Sequence, residues 1–121
     1  HLRVPVLMDE ATAQIVRTKL DREEGRVRKL ARILPYGMEK PVVVSELLPP
    51  ESNTETLTDQ EVGCYETAVE HFIQGQWEEA FRLLHEIPPS DRAQDFLALQ
   101  ITRTNRIAPL DWEGTIRFDS K

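Results

Sequence analysis

Two histidines and one cysteine are the side chains of this sequence best suited to metal binding or nucleophilic chemistry. His71 and His85 stand fourteen positions apart, near the ends of two predicted helices, and the spacing places no further ligands for a metal ion. We therefore expect solvated or helix-capping histidines and no metal site. Cys64 stands one position off an apolar stripe with no adjacent base, so we expect a partly buried, unreactive thiol.

A basic segment raises the question of nucleic-acid binding. Its cationic residues are Arg22, Arg26, Arg28, Lys29 and Arg32. Glu23 and Glu24 interrupt it, no aromatic residues are interleaved, and the whole chain has a net charge of −6. We expect the charged outer face of a strand, or a patch that docks the acidic C-terminal part, and no nucleic-acid partner.

Composition and net charge limit the class of protein to which these residues belong. With 121 residues, 40% hydrophobic and 30% charged, the chain has the composition of a soluble globular protein, and we expect it to be cytoplasmic. Residues 1–48 have a net charge of +2 and residues 49–121 a net charge of −8. The change of sign falls at Pro49-Pro50 and ESNTET, which predict a solvated linker over 49–56.

The first 48 residues predict the order strand, helix, β-hairpin. Asp9 is the expected N-cap of the helix, and Glu10 favours its first turn. Spacings of three and four predict a buried helix face of Met8, Ala11, Ile15, Val16 and Leu20. RVRKLARIL and KPVVVSELL predict two strands, joined by PYGME with Gly37 where a tight turn needs a positive φ. Two strands and one helix bury too little to be stable alone, so we expect this part to belong to something larger.

Three helices and a short strand are predicted behind the linker. Thr58 and Glu61 have capping-box spacing, and Gly75 suits the C′ position of the first helix. The second helix ends at Pro88-Pro89, and Ser90 and Asp91 cap the third. Its expected inward face is Ala93, Phe96, Leu97 and Ile101. A short strand over 115–118 is expected to pair on a sheet edge or pack over the helices.

The helical part resembles a single tetratricopeptide repeat followed by a capping helix. The G-x-W-x-x-A of Gly75, Trp77 and Ala80 matches the central signature of that repeat, and no second copy occurs at a period of ~34 residues. The residues expected to carry the packing are Tyr65, Ala68, Phe72, Gly75, Trp77, Ala80, Leu84 and Trp112. A single repeat makes a short groove, which suggests a protein partner for this tail.

The front part resembles the end of the catalytic domain of class III adenylate/guanylate cyclases. The resemblance rests on VPVLMDEATAQIV and RVRKLARILPYGMEKPVVVSELLPP, in that order. In the family a strand, a Lys-Gly-Lys-type turn and a strand ending in "vyEL" follow the first phrase. Gly37 matches the glycine of that turn, whereas Tyr36 and Met38 replace its lysines. Some bacterial members also carry a helical tail with an ending like "P-x-D-W-D-G", to which Pro109, Asp111 and Trp112 to Gly114 are similar.

The resemblance implies a catalytically inactive part of an enzyme that converts ATP to cyclic AMP and diphosphate. The family's two metal-binding aspartates and its Asn/Arg pair lie upstream of the matched phrase, so we expect neither catalytic nor cofactor-binding residues in this chain. The parent would use Mg²⁺ or Mn²⁺, act as a homodimer, and attach to a membrane, if at all, through upstream segments. The remainder of the catalytic domain would be a partner of residues 1–48.

The predicted architecture is an α+β fold in four parts. Residues 1–48 are expected to be a truncated α/β sandwich remnant and residues 49–56 a linker. A three-helix, tetratricopeptide-like bundle over 57–107 and an extension over 108–121 would follow. We expect a structural or regulatory C-terminal region of a class III adenylate cyclase; the alternative is a stand-alone tetratricopeptide-like module that binds proteins.

Overall fold

The computed structural model describes residues 6–53 and 56–118 of the chain. This part has a mixed α+β fold with four strands and four helices. In chain order they are β1 (Val6–Met8), α1 (Glu10–Lys19), β2 (Arg26–Leu34), β3 (Val42–Leu48), α2 (Asp59–Ile73), α3 (Trp77–Leu84), α4 (Arg92–Thr102) and β4 (Ile116–Arg117). They form two compact units: a sheet unit of His1–Asp59 and Ile116–Lys121, and a helical unit of Gln60–Thr115.

Helix α1 of the sheet unit begins where the sequence predicts. The side chain of Asp9 accepts a hydrogen bond from the backbone N–H of Thr12 at 2.9 Å, which confirms Asp9 as the N-cap. The same bond lowers the pKa of the Asp9 carboxyl. The predicted apolar face is wrong in part, because Ala11 and Ile15 are exposed and the buried residue is Ala13. Helix α1 packs on both β2 and β3, so its buried residue, Ala13, is set by the orientation of the helix on the sheet.

The sheet has the strand order β1-β3-β2-β4. Strands β2 and β3 form the predicted antiparallel hairpin, and β1 pairs antiparallel with the other side of β3. At the turn, Gly37 has φ +80° and the N–H of Met38 donates to the carbonyl of Pro35 at 3.1 Å. This geometry confirms the expected positive φ. A β-bulge between Lys29 and Ala31 shifts the register within the hairpin.

Strand β4 completes the sheet from the far end of the sequence. Ile116 pairs with Ile33 and Arg117 with Leu34 in a parallel arrangement, and the N–H of Phe118 donates to the carbonyl of Leu34 at 3.0 Å. Of the two positions that the sequence leaves open for this strand, it takes the sheet edge. The strand is shorter than predicted, covering Ile116–Arg117 only.

The segment between the hairpin and α2 is only partly the solvated linker that the sequence predicts. Positions 51–53 are exposed, and residues 54 and 55 lie outside the described part. The N–H of Asn53 donates to the carbonyl of Pro50 at 3.0 Å, and a carboxylate oxygen of Glu51 accepts from the N–H of Asp59 at 2.8 Å. Leu57, at the end of the segment, is buried. These bonds give the described part of the segment a defined path.

The helical unit contains an antiparallel pair, α2 and α3. Phe72 near the end of α2 meets Trp77 at the start of α3, and Cys64 near the start of α2 donates to the carbonyl of Leu83 near the end of α3. The core of the unit is formed by apolar residues of all three helices and of the segment after α3: Val62, Tyr65, Ala68, Val69, Phe72, Trp77, Ala80, Leu84, Ile87, Leu97 and Ile101.

Helix α4 buries only part of the face that the sequence predicts. Asp91 is confirmed as its N-cap, with its carboxylate accepting from the N–H of Gln94 at 3.0 Å. Leu97 and Ile101 are buried as expected, whereas Phe96 is exposed and Gln94 takes an inward position. The side-chain amide of Gln94 donates to the carbonyl of Leu84 at 3.3 Å, which compensates for burying a polar group.

Within the described residues, no helix is long and apolar enough to cross a membrane.

Candidate functional site in the helical unit

The end of α2 is closed by a Schellman motif centred on Gly75. Gly75 has φ +85°, its N–H donates to the carbonyl of Phe72 at 3.1 Å, and the N–H of Gln76 donates to the carbonyl of His71 at 2.8 Å. These two bonds define the motif, and they confirm Gly75 as the C′ residue. The tight reversal brings the end of α2 next to the start of α3.

Two indole groups complete the same helix end. The Nε1–H of Trp77 donates to the carbonyl of Phe72 at 2.9 Å. The Nε1–H of Trp112 donates to the same carbonyl at 2.9 Å and to the carbonyl of Ile73 at 3.0 Å. Carbonyls in the last turn of a helix have no partner within the helix, and the indoles supply one. Trp112 thus joins the segment after α4 to the end of α2, which periodicity does not reveal.

The rings of Phe72, Trp77 and Trp112 form one aromatic cluster. Phe72 and Trp77 stack with centroids 4.7 Å apart and planes 8° from parallel. The Trp112 ring lies edge-on to both, with its centroid 5.0 Å from each. Offset and edge-on pairs of this kind are favourable beyond the apolar area that they bury. The cluster therefore packs the α2–α3 junction against the segment that follows α4.

A second helix end adjoins this junction. The chain leaves α4 through Asn105 and Arg106, with φ +57° and +67°. Their N–H groups donate to the carbonyls of Thr102 and Ile101 at 3.2 and 3.0 Å, again the Schellman pattern, here with asparagine at C′. The guanidinium of Arg106 then lies 4.6 Å from the ring centroid of Phe81 and 3.5 Å from the carboxylate of Glu78.

A cleft of about 570 Å³ opens between the two helix ends. Residues from three segments line it, among them His71, Gln76, Trp77, Glu78, Arg106 and Ile107. The lining mixes an indole and an isoleucine with charged groups, of which Glu78 and Arg106 pair with each other.

His71, His85 and Cys64 each make a hydrogen bond within the helical unit. Nδ1 of His71 hydrogen-bonds the side-chain oxygen of Gln76, and the Nδ1–H of His85 donates to the carbonyl of Phe81 at 2.9 Å at the end of α3. Burial raises the pKa of the Cys64 thiol, and the negative charge of Glu86 raises it further. A thiol with a raised pKa is a weaker nucleophile at neutral pH because less of it is thiolate.

The sheet unit contains a buried ion pair that sequence analysis misses. Arg28 of β2 and Glu46 of β3 are register partners, with 2.7 Å between guanidinium nitrogen and carboxylate oxygen. Only 1% and 6% of their side chains are exposed. The expectation that the basic segment forms an outer strand face is therefore wrong for Arg28. Glu46 is also the glutamate that matches "vyEL" in the cyclase-like phrase.

Arg26 is the second buried arginine of the segment. Its guanidinium donates to the carbonyls of Pro49 and Leu57 at 3.0 and 2.6 Å, and it forms an ion pair with Asp59 at 2.9 Å. Arg22 also pairs with Asp59. The hydrogen bond from Arg26, more than the charge of Arg22, lowers the pKa of Asp59. Arg26 thus holds both ends of the segment that follows the hairpin.

The expected packing residues fall into two groups within the helical unit. Phe72, Gly75, Trp77 and Trp112 meet at the α2–α3 junction, as described above. Tyr65, Ala68, Ala80 and Leu84 are buried along the helices. Gly37 belongs to the sheet unit, where it forms the hairpin turn. Sequence analysis does not locate the end of α4. A signal for it exists, since asparagine, here Asn105, is a residue type that suits the C′ position of a helix.

Two further findings bear on function. Among residues 6–53 and 56–118, no group of three or more His, Cys, Asp or Glu side chains is placed to hold a metal ion. The chain matches no protein-family model, no curated protein and no solved structure. Any functional conclusion therefore depends on the geometry and on the sequence phrases themselves.

Proposed function

We propose that this chain is the C-terminal region of a class III adenylate cyclase. In this proposal residues 1–48 are the rear of the catalytic domain, and the helical unit is a tetratricopeptide-like regulatory tail. The parent enzyme converts ATP to cyclic AMP and diphosphate. The residues that hold Mg²⁺ or Mn²⁺ and stabilise the transition state belong to upstream parts of that enzyme.

The observation that carries the proposal is the match between the cyclase-like phrase and the elements of the sheet unit. VLM forms β1, Asp9 starts α1 at DEATA, and Gly37 occupies the left-handed position of the β2–β3 turn. Glu46 follows in β3, within the SELL that matches the end of the family phrase. The order strand, helix, strand, glycine turn, strand is the order that the resemblance implies. One common fold would explain why the phrases occur together.

The chemistry of the sheet unit suits a scaffold. Its most buried charged groups, Arg28 and Glu46, pair with each other inside the sheet. Arg26 is committed to two backbone carbonyls and to Asp59. Charges that neutralise one another stabilise a geometry but do not bind a triphosphate, which needs cations aimed at its oxygens. The same burial disfavours nucleic-acid binding, because neither arginine presents its charge to a phosphate backbone.

The helical unit supports the regulatory part of the proposal. Its antiparallel α2–α3 pair, with Gly75 and Trp77 at the junction and Ala80 buried along α3, supports the likeness to one tetratricopeptide repeat, and α4 follows as a third helix. A lone repeat cannot bury its apolar face by itself and needs a further helix or another surface to pack against. A tail of this kind suits contacts with another protein or with a second copy of the parent.

The complete polypeptide encoded by the gene provides the test. We expect it to form cyclic AMP from ATP in the presence of MgCl₂ or MnCl₂, and its segment upstream of His1 to contain two aspartates followed by an Asn-x-x-x-Arg helix. Deletion of residues 57–121 should change basal activity or dimerisation more than it changes the metal requirement. A folded polypeptide without these aspartates and without activity would refute the proposal.

A protein-binding module without any enzyme is the second candidate. The cleft beside Trp77 and Arg106 favours it, since its mixed lining suits a peptide side chain. Under this hypothesis the complete polypeptide would have no cyclase activity, and a bound protein would protect the amides of residues 75–79 and 106–108 from hydrogen exchange. Cyclase activity in the complete polypeptide would decide against it.

A further inference from the structure

Residues 107–112, which we call the cleft loop, present an apolar surface beside the cleft of the helical unit. Ile107 is 70% exposed and Leu110 is fully exposed. Ile107 lines the cleft, and Leu110 follows three residues later at the tip of a turn. Turn tips usually carry glycine or polar residues, so a leucine at this position is unusual. The core of the helical unit uses neither side chain, and together they extend the apolar part of the cleft lining.

The cleft loop is bonded to the helical unit at both of its ends. The N–H of Ile107 donates to the carbonyl of Thr104 at 3.2 Å, and the N–H of Trp112 donates to the carbonyl of Pro109 at 3.1 Å. The second bond closes the turn that carries Leu110. The indole of Trp112 then bonds the carbonyls at the end of α2, as described above. A loop held in this way loses little conformational entropy when a partner covers it.

Carboxylates outnumber cations at this surface. The cleft lining and the cleft loop together carry three carboxylates and one guanidinium, those of Glu78, Glu79, Asp111 and Arg106. Arg106 is paired with Glu78 at 3.5 Å, and Arg82 pairs with Glu79 from outside the cleft at 3.2 Å. Asp111 is exposed, and within the described part of the chain no ion pair joins it to a cation. A carboxylate beside an exposed leucine is therefore available to a partner.

The charge of the whole helical unit has the same sign. Residues 60–115 contain four arginines, no lysine and ten acidic residues, a net charge of −6. A field of this sign attracts basic partners and repels acidic ones. A second copy of the unit is a poorer occupant for the same reason, because it would bring a further charge of −6 to the contact.

We propose that the cleft and the cleft loop bind a basic segment of a partner protein that also carries apolar side chains. An apolar side chain of the segment would enter the cleft beside Trp77 and cover Ile107 and Leu110. Lysine or arginine side chains next to it would face Asp111 and the carboxylates of the rim. The inference names the partner of the protein-binding tail and rests on that part of the proposed function, whereas it does not need cyclase activity in the parent.

The test uses the full chain and three labelled peptides. The probe is a fluorescein-labelled peptide of about ten residues, up to about 35 Å long when extended, in which two leucines stand among lysines. A contact at one cleft buries less than about 1,200 Å², so we expect a dissociation constant on the order of 100 μM that rises as NaCl is added. A peptide with glutamate in place of each lysine should bind at least about tenfold more weakly. So should a peptide that keeps the lysines and has serine in place of both leucines.

Variants of the chain identify the surface. Leu110→Ser should weaken binding of the lysine peptide at least about fivefold, and Asp111→Lys at least about threefold. Leu99→Ser and Asp95→Lys are the matched controls, since they change an exposed leucine and an exposed aspartate on α4 and should leave binding within about twofold of the parent chain. Asp95→Lys alters the net charge as much as Asp111→Lys does. Unchanged tryptophan fluorescence and circular dichroism would show that each variant is folded.

Three results would overturn the inference. The first is binding of the glutamate or serine peptide as tight as that of the lysine peptide, or no binding of the lysine peptide at millimolar concentration. The second is an equal effect of Leu110→Ser and Leu99→Ser. The third is an equal effect of Asp111→Lys and Asp95→Lys, which would leave only diffuse attraction by net charge. Cyclic AMP formation by the complete polypeptide is measured separately, so a failure of the cyclase proposal and a failure of this inference are distinguishable.

Discussion

Breaking the Arg28–Glu46 pair from one side should destabilise the sheet unit strongly. The charged atoms are 2.7 Å apart and the side chains are 1% and 6% exposed. With an effective dielectric constant of about 20, two unit charges at this distance attract by about 6 kcal/mol. Taking each ion out of water costs several kcal/mol, so the net contribution of the intact pair is small. A single deletion, however, leaves one charge buried without its partner, and we expect it to cost about 3–5 kcal/mol.

The double-mutant cycle separates these contributions. Arg28→Met and Glu46→Leu should each lower the free energy of unfolding by about 3–5 kcal/mol, and the double variant should lie within about 2 kcal/mol of the parent chain. Urea unfolding followed by hydrogen exchange in β2 and β3 reports on the sheet unit. Tryptophan fluorescence reports on the helical unit, because both tryptophans, Trp77 and Trp112, belong to it.

The double variant decides whether the reasoning holds. If it loses as much stability as the two single variants together, the two residues do not interact, and the argument that each charge needs the other is refuted. Glu46→Gln gives a second check, since it keeps the shape of the side chain and removes only the charge. It should be nearly as destabilising as Glu46→Leu if the loss of the negative charge opposite Arg28 is the cause.

Three further predictions concern single positions. Gly75→Ala should lower the free energy of unfolding by about 1–2 kcal/mol, because φ is +85° there. Gly63→Ala should raise it by about 0.5–1 kcal/mol, because Gly63 lies inside α2 and a Cβ there meets nothing within 4 Å. Urea unfolding followed by tryptophan fluorescence measures both changes, and changes of the same sign would contradict the argument from the left-handed conformation. Trp112→Phe keeps an aromatic ring but removes the hydrogen-bond donor to the carbonyls of Phe72 and Ile73. It should lower the free energy of unfolding by about 1 kcal/mol in the same assay. An unchanged unfolding midpoint would show that the hydrogen bonds of the indole add no stability. The pKa of Asp59 is lowered chiefly by Arg26, so the stability that this contact supplies is complete above the unfolded-state value of about 3.9 and is lost as the pH falls through the lower folded-state pKa. In acid titrations of unfolding, Asp59→Asn should remove this component and Asp95→Asn, the exposed control, should retain it.

Features fixed within a few residues could be predicted from the sequence. Asp9 and Asp91 cap helices through the N–H three positions later, and Gly37 and Gly75 occupy left-handed positions that their neighbours require. Each depends on contacts across three to five residues, so composition and spacing contain the necessary information. The existence of four helices and of the β-hairpin follows from the same local signals.

The Arg28–Glu46 pair could not be predicted because it depends on the register of the hairpin. A two-residue turn at Tyr36 and Gly37 would pair Arg28 with Ser45 and turn Glu46 to the opposite face. In the structure the connection covers residues 35–41, and the bulge after Lys29 shifts the register again, so that Arg28 faces Glu46. A slip of one residue exchanges the faces of a strand. Loop length and bulge therefore decide which charges are buried, and neither has a clear sequence signature here.

Helix faces were predictable only where one stripe is apolar. In α2 the stripe from Val62 to Phe72 is the buried one. In α4 two stripes compete, and burial falls on Leu97 and Ile101 while Phe96 remains exposed, because the amide of Gln94 finds an acceptor in the carbonyl of Leu84 and can turn inward. Apolar spacing cannot rank two faces when a polar residue of one of them gains a buried partner.

The extension predicted over 108–121 illustrates the same limit over longer distances. Trp112 bonds carbonyls about forty positions earlier in the helical unit, whereas Ile116, four residues further on, pairs with Ile33 in the sheet unit. Gly114, with φ +87°, lies in the sequence between Trp112 and Ile116. Both partners are remote in sequence, so neither assignment leaves a periodic signal. Trp112 therefore belongs to the helical unit by its hydrogen bonds, and Ile116 belongs to the sheet unit by its strand pairing.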